Sequence, residues 1–250
     1  MARTAIRGRL TWEVASVIAL VDETPRVRSL VLDVPDWPGH LPGQHVDVRL
    51  TAEDGYQTER SYSIATPAEG TRVTISVERI DDGEVSPYLD GELRVGDQLE
   101  LRGPIGGYFV WTPGDGRPLL LAGGGSGIVP LMAMLRARIA AGSDVPVRLL
   151  VSARSIDEII YRAELESIAS ANSGVEIRWT LTRTQPSGWT GYGRRVDRAM
   201  LAEIAWPVDQ QPRSFACGPT GFVETVASGL VELGHEPGNI RTERFGPTGG

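Results

Sequence analysis

Between Pro118 and Pro130 the chain reads PLLLAGGGSGIVP: an apolar run with no polar break, a cluster of glycines, then the onset of a helical pattern over 129–140. An unbroken apolar run of this kind suits a strand buried on both faces of a parallel sheet. A strand, a glycine turn and a helix beginning near Pro130 place backbone amides at the carboxyl end of that strand, where doubly wound sheets bind nucleotides. The spacing departs from the usual G-x-G-x-x-G. Gly125 and Gly127 therefore fit two uses, close approach of a ligand or neighbouring domain, or simply a tight turn.

The same alternation continues to the end of the chain. Strands are predicted at 147–152, 175–181 and 214–217, and helices at 156–170, 197–205 and 220–233. The first 110 residues have another texture, short runs of alternating apolar and polar residues divided by turns, at 14–20, 27–32, 45–50, 60–65, 72–77 and 98–102, with a short helix at 85–90. The expected fold is two domains: an antiparallel β-barrel over 1–112 and a doubly wound α/β domain over 113–250, joined near Thr112–Gly116.

Composition removes several chemistries. All 25 basic residues are arginine, which excludes a Walker-type phosphate loop with its lysine and any lysine Schiff base. Cys217 is the one cysteine, so an internal disulfide, a zinc cluster and an iron-sulfur centre are excluded too. His40, His45 and His235 are scattered, which argues for surface or loop residues and against a metal site. A net charge of -7 argues against nucleic acid as a partner. No stretch approaches the roughly 18 apolar residues of a membrane span, and the first residues lack the core of a secretory signal, so the expectation is a cytoplasmic protein without membrane contact.

Three further stretches carry chemistry. In Arg60-Ser61-Tyr62-Ser63, an extended strand would put the arginine and tyrosine on one face and the serines on the other. That arrangement suits a flat ligand carrying phosphate, and it also suits an edge strand with an exposed arginine. Gly83-Glu84-Val85-Ser86 precedes the short helix, where free N–H groups could meet a phosphate or Ser86 could be a plain N-cap. Cys217-Gly218-Pro219 falls where the last predicted strand meets its helix, again on the ligand-facing edge, although a buried cysteine also serves as apolar filler.

Taken in order with the tail Glu243-Arg244-Phe245-Gly246-Pro247, these motifs resemble the ferredoxin-NADP reductase superfamily along nearly the whole chain. The resemblance implies a flavin-binding barrel and a nicotinamide-nucleotide domain. On it Arg60 would contact the flavin phosphates, Tyr62 would stack on the isoalloxazine, Ser63 would bond near N5, and Ser61, Val77 and Glu78 would complete that side of the cofactor site. The Gly83, Glu84, Val85 and Ser86 turn would meet the pyrophosphate, which favours FAD. Gly125, Ser126, Gly127 and Pro130 would cradle the nicotinamide nucleotide, with Cys217, Gly218 and Pro219 beside its reactive carbon. Phe245 would cover the other flavin face, with Glu243 close by.

Arg154 follows the second parallel strand, Arg183 the third, and Arg194-Arg195 lie in the next loop, all on the edge where an adenosine 2'-phosphate would sit, favouring NADPH over NADH. The resemblance implies a monomeric reductase passing electrons from NADPH through FAD to a separate acceptor such as a ferredoxin or an oxygenase component. A free-flavin or quinone reductase, or a non-catalytic electron-transfer subunit, are the alternatives. Arg7, Arg9, Arg26, Arg28 and Arg79 could form a patch for an acidic ferredoxin or be scattered solvated charges.

Overall fold

The computed structural model describes residues 10–51 and 54–245. Its first half holds β1 (Trp12–Thr24), β2 (Val27–Asp33), β3 (His45–Thr51), β4 (Gln57–Ser63), β5 (Arg72–Glu78), the short helix α1 (Ser86–Gly91) and β6 (Gln98–Ile105). The strands pair antiparallel in the order β4-β3-β6-β1-β2-β5. Beyond β4 the edges meet: Ala65 N–H donates to the Thr74 carbonyl at 2.7 Å and Ile64 bridges Ile75, closing a barrel. The alternation read in the sequence drives this. In β3, Val46 and Val48 are fully buried while His45, Asp47 and Arg49 keep one side toward solvent. Leu30, Leu32, Ile75 and Leu101 join them inside, and each such side chain contributes about 1.5–3 kcal/mol on burial.

The second half holds β7 (Leu119–Gly124), α2 (Ile128–Ala140), β8 (Val147–Ala153), α3 (Arg162–Ala171), β9 (Val175–Leu181), α4 (Arg198–Ile204), β10 (Arg213–Pro219), α5 (Thr220–Glu232) and β11 (Ile240–Phe245). These strands pair in parallel in the order β11-β10-β7-β8-β9. Central β7 explains its own composition. Leu119 and Leu121 pack on one layer with α2, and Leu120 and Ala122 on the other with α4 and α5. The chain leaves β7 toward β8 and β9 and returns to β10 on its other side, so the strand order reverses between β7 and β10. Ligands of doubly wound sheets bind at that reversal.

One apolar core runs across both halves, through Val27 and Ala65 of the barrel, Phe109 and Trp111 of the connection, and Phe215 and Cys217 of the sheet. The rings of Phe109 and Phe215 meet edge to face at 5.2 Å. Gly43, at φ +98°, lets the connection press onto the barrel, since a Cβ there would stand 1.8 Å from the Phe109 carbonyl oxygen.

Several expectations are corrected. The sheet gains a fifth strand, β11, where the sequence showed only a tail motif. The helix expected over 156–170 starts at Arg162, after a 3-10 turn at Ile156–Glu158 and a left-handed Tyr161 at φ +59°. Helix α2 starts at Ile128, after a 3-10 turn at Gly125–Gly127. Ser86 is not the N-cap of α1: that position is Val85, and the serine hydroxyl instead accepts from Ile80 N–H at 3.0 Å.

Of the histidines expected in surface or loop positions, His40 and His235 do lie in loops but are buried there, and only His45 stands in a strand, opening β3 half-buried. Trp37 Nε1 donates to His40 Nδ1 at 2.9 Å, so His40 Nε2 carries the proton and donates to the Thr66 carbonyl at 2.8 Å. Arg26, Arg28 and Arg79 are tied to Asp81, Asp22 and again Asp81, at 3.2, 2.7 and 3.0 Å. Arg7 and Arg9 lie outside the described residues. Among the described residues no helix is long and apolar enough to cross a membrane.

Candidate nucleotide and flavin site

Strand β4 lies on the barrel edge beside β3, with Arg60 opposite Val48, Tyr62 opposite Val46 and Ser63 opposite His45. Tyr62 is half-buried, and burial pushes its phenol up to about 12, so it is a neutral hydrogen-bond donor at any ordinary pH. Ser63 is buried, yet its hydroxyl has no hydrogen-bond partner among the described residues. Among the described residues the buried side-chain atoms without a partner are Trp111 Nε1 and Ser214 Oγ, so the Ser63 oxygen keeps an accessible edge and is free to bond a ligand atom. Ser61, on the same face of β4 as Ser63, donates to Asp47 at 2.6 Å.

The Arg60 guanidinium lies at the mouth of this face, half-exposed. It donates to Thr58 Oγ1 at 3.3 Å and stands 3.7 Å from Glu84, which brings the β4 motif together with the Gly83, Glu84, Val85 and Ser86 turn. Thr58 and Tyr56 also donate to Glu84, at 3.3 and 3.4 Å. The Tyr56–Thr58–Glu84 cluster was not read from the sequence, because β4 and the turn are far apart along it. Val77 and Val85 are packed inside the barrel, so only their backbone could face a ligand, while Glu78 is exposed.

Across the interface, the Gly125–Gly127 turn packs against β5 and against the ends of β7, β10 and β11. Its glycines have different jobs. Gly127 is pressed on the neighbouring strand end, where a Cβ would stand 2.0 Å from the Cys217 carbonyl oxygen. Gly218, at φ +150°, faces Gly124 in the same way, at 2.9 Å from its carbonyl oxygen. Gly125 has the left-handed φ of +56° and open space where its side chain would be. That opening, with half-exposed Ser126 beside it, is room for a ligand at the sheet reversal. Pro130 is buried inside α2 and serves packing.

Cys217 is fully buried, and burial raises its thiol well above the ordinary range, with Glu243 adding to the effect. It is a neutral thiol, unsuited to nucleophilic attack. Strand β11 sets Glu243 opposite Cys217 and Phe245 opposite Pro219. Burial raises the Glu243 carboxyl to about 7. Phe245 packs against the shared core, and Gly246 and Pro247 lie outside the described residues. Strand β11, IRTERF, is apolar only at its two ends, so no alternation marked it and this juxtaposition left no signal in the sequence.

The arginines after β8 and β9 meet on one edge. Arg183 N–H donates to the Arg154 carbonyl at 2.9 Å, and the Thr180 hydroxyl donates to the Arg194 carbonyl. Arg194 is engaged with Asp197 at 2.8 Å. Arg154, Arg183 and Arg195 are exposed and have no side-chain hydrogen bond or ion pair among the described residues.

The chain matches the oxidoreductase FAD-binding domain over residues 17–110 and the oxidoreductase NAD-binding domain over 121–228. It is 34% identical over 238 residues to ferredoxin-NADP reductase B of Sorangium cellulosum, covering 92% of this chain and 96% of that protein. The chain belongs to the ferredoxin-NADP reductase family. Within that family it is also 33% identical to the glycine betaine monooxygenase reductase subunit of Chromohalobacter salexigens, of which it spans 63%. Among solved structures, the flavohaem-like FAD/NAD-binding domain of nitric oxide dioxygenase from Vibrio cholerae superposes with a TM-score of 0.83 at 28% identity, covering 94% of this chain and 99% of that one. A ferredoxin-NADP reductase domain therefore consists here of the barrel and the five-stranded sheet described above.

Proposed function

We propose that this chain is an FAD-dependent NADPH oxidoreductase that delivers electrons to a separate protein acceptor, a ferredoxin or an oxygenase component. The observation that carries the reading is the packing of the Gly125–Gly127 turn against barrel strand β5, which sets the nucleotide-type turn against the barrel that carries the flavin-type motif. Bound FAD would supply the chemistry, taking an electron pair from a reduced nicotinamide and releasing electrons singly.

The residues divide the remaining work. Arg60 and the amides of the Gly83, Glu84, Val85 and Ser86 turn hold the pyrophosphate, with Arg60 exchanging Glu84 for phosphate. Tyr62 presents its ring to the isoalloxazine, and the Ser63 hydroxyl satisfies a ring nitrogen. Gly125, Ser126 and Gly127 admit the nicotinamide nucleotide, and Cys217, Gly218 and Pro219 form a tight neutral wall beside it. Glu243 holds a proton at its carboxyl near neutral pH. Phe245 shields the cleft from water until a nucleotide enters.

Arg154, Arg183 and Arg195, unpaired where most other described arginines have acid partners, are the cations that would receive a 2'-phosphate, which supports NADPH over NADH. The names of the relatives, a ferredoxin-NADP reductase and an oxygenase reductase subunit, support the acceptor class.

The test is the visible spectrum of the purified protein without oxygen, before and after NADPH or NADH. A yellow protein that bleaches faster with NADPH is expected. A protein that takes up no FAD would sink the reading, and faster bleaching with NADH would overturn the nucleotide assignment.

A further inference from the structure

A set of directional contacts crosses between barrel and sheet. Arg136 lies on α2, the helix that the glycine turn begins. Its Nη1 donates to the Ala65 carbonyl at 2.7 Å, two residues beyond Ser63. Its remaining nitrogens grip Glu164 of α3 in a forked pair at 2.9 and 2.5 Å, and its guanidinium carbon sits 4.7 Å from the centre of the Tyr161 ring. One side chain thus touches the end of the flavin-type strand, the third helix and the tyrosine.

Tyr161 completes the crossing. It is buried, and its hydroxyl meets Ser76 of β5. Ser76 shares a hydrogen bond with Ser29 at 2.7 Å, and the Ser29 hydroxyl donates to Glu23 at 2.6 Å. A carboxylate only accepts, so the row has one polarity: Tyr161 donates to Ser76, Ser76 to Ser29, and Ser29 to Glu23. The left-handed backbone of Tyr161 is a conformation that a non-glycine residue holds only where its surroundings fix it. The apolar core of the interface is non-directional and resists sliding poorly, whereas these bonds specify one register.

We infer that Arg136 and Tyr161 are positioning residues that set the spacing between the strand end carrying Ser63 and the turn carrying Ser126. This rests on reading the cleft as a flavin and nicotinamide site. Arg136 spans both sides directly, because α2 fixes it to the glycine turn while Ala65 fixes it to β4. A displacement near 1 Å at a reacting pair can cost about a hundredfold in rate, so a slack latch would slow reduction while leaving each ligand's own contacts intact.

The experiment compares FAD-loaded parent, Arg136→Ala, Arg136→Lys, Tyr161→Phe and the Arg136→Ala/Tyr161→Phe double variant by rapid-mixing bleaching with saturating NADPH and by calorimetry. Arg136→Ala should bleach about tenfold more slowly or worse, with flavin content and nucleotide KM near those of the parent. Tyr161→Phe, which keeps the ring and the packing, should lose a few-fold, Arg136→Lys should recover part of the loss, and the double variant should be non-additive. Calorimetry should show the parent's single transition dividing as the halves uncouple in Arg136→Ala. Parent-like bleaching in both single variants would overturn the inference, as would an undivided transition in Arg136→Ala. A parent that does not bleach would sink the reductase reading instead, and calorimetry alone would then decide the latch.

Discussion

Cys217 and Glu243 stand side by side across the parallel pair of β10 and β11, a fully buried neutral thiol next to a carboxyl that burial holds protonated up to about pH 7. Neither is drawn toward a counter-charge, since the Glu243 carboxylate has no ion pair among the described residues. The native state therefore binds this proton more tightly than the unfolded chain, where a glutamate ionises near 4.5. The contribution of Glu243 to stability should fall as pH rises through the window from about 4.5 to about 7, by up to about 3 kcal/mol, and level off above it, while His40, His45 and His235, whose pKa burial lowers, act in the opposite direction.

Glu243→Gln should remove that slope. Thermal melts between pH 4.5 and 8 would show it as a parent-minus-variant difference in stability that declines from about pH 4.5 to about 7, the histidines contributing equally to both proteins. A difference that does not change with pH would remove Glu243 as the group responsible. In flavin reduction, the parent should show an inflection near 7 that the variant lacks.

Ser63 offers a cleaner separation of folding from ligand binding. Its hydroxyl makes no bond within the described protein, so Ser63→Ala should leave the flavin-free melting temperature within about a degree, since no internal hydrogen bond is lost. With flavin bound, the missing hydrogen bond of about 0.5–1.5 kcal/mol should slow bleaching by NADPH roughly two- to tenfold. A bleaching rate equal to the parent's would remove Ser63 from the site.

The two glycines of the turn should respond differently to the same change. In Gly127→Ala the new methyl would collide with the Cys217 carbonyl, and overpacking of rigid backbone costs about 1–3 kcal/mol, so a melt several degrees lower and a raised nucleotide KM are expected. In Gly125→Ala the methyl enters open space and the cost is that of the left-handed φ, about 1 kcal/mol. Equal destabilisation of the two variants would contradict the close approach at Gly127.

What was legible in the chain follows from how local each signal is. Strand β7 could be read because burial on both faces leaves an unbroken apolar run, and the glycines mark its end. The helix expected from 156 fails for a tertiary reason: the periodicity continues through Ile159 and Ile160, but Tyr161 turns left-handed to bury its ring and reach Ser76, more than eighty residues earlier. Strand β11 was hidden by its half-polar composition at a sheet edge. The neighbours Cys217 and Glu243 depend on parallel register, and the Arg136 contact with Ala65 depends on how two domains dock, which no sequence window contains.

The arginines on the sheet edge give the last prediction. Arg154 and Arg183 hold no acid among the described residues, so an added phosphate would displace none of them, and each charge-assisted hydrogen bond contributes about 1.5–3 kcal/mol. Arg154→Ala and Arg183→Ala should each raise the KM for NADPH by roughly ten- to a hundredfold while changing the KM for NADH by less than about twofold, because the ligands differ only by the 2'-phosphate. The NADPH effect should shrink at high salt, as expected for exposed charges. Arg178, on the same sheet but paired with Glu176, is the control: Arg178→Ala should leave both constants near the parent values. A parallel loss for NADH and NADPH in Arg154→Ala and Arg183→Ala would mean that these residues bind the part of the nucleotide that both share.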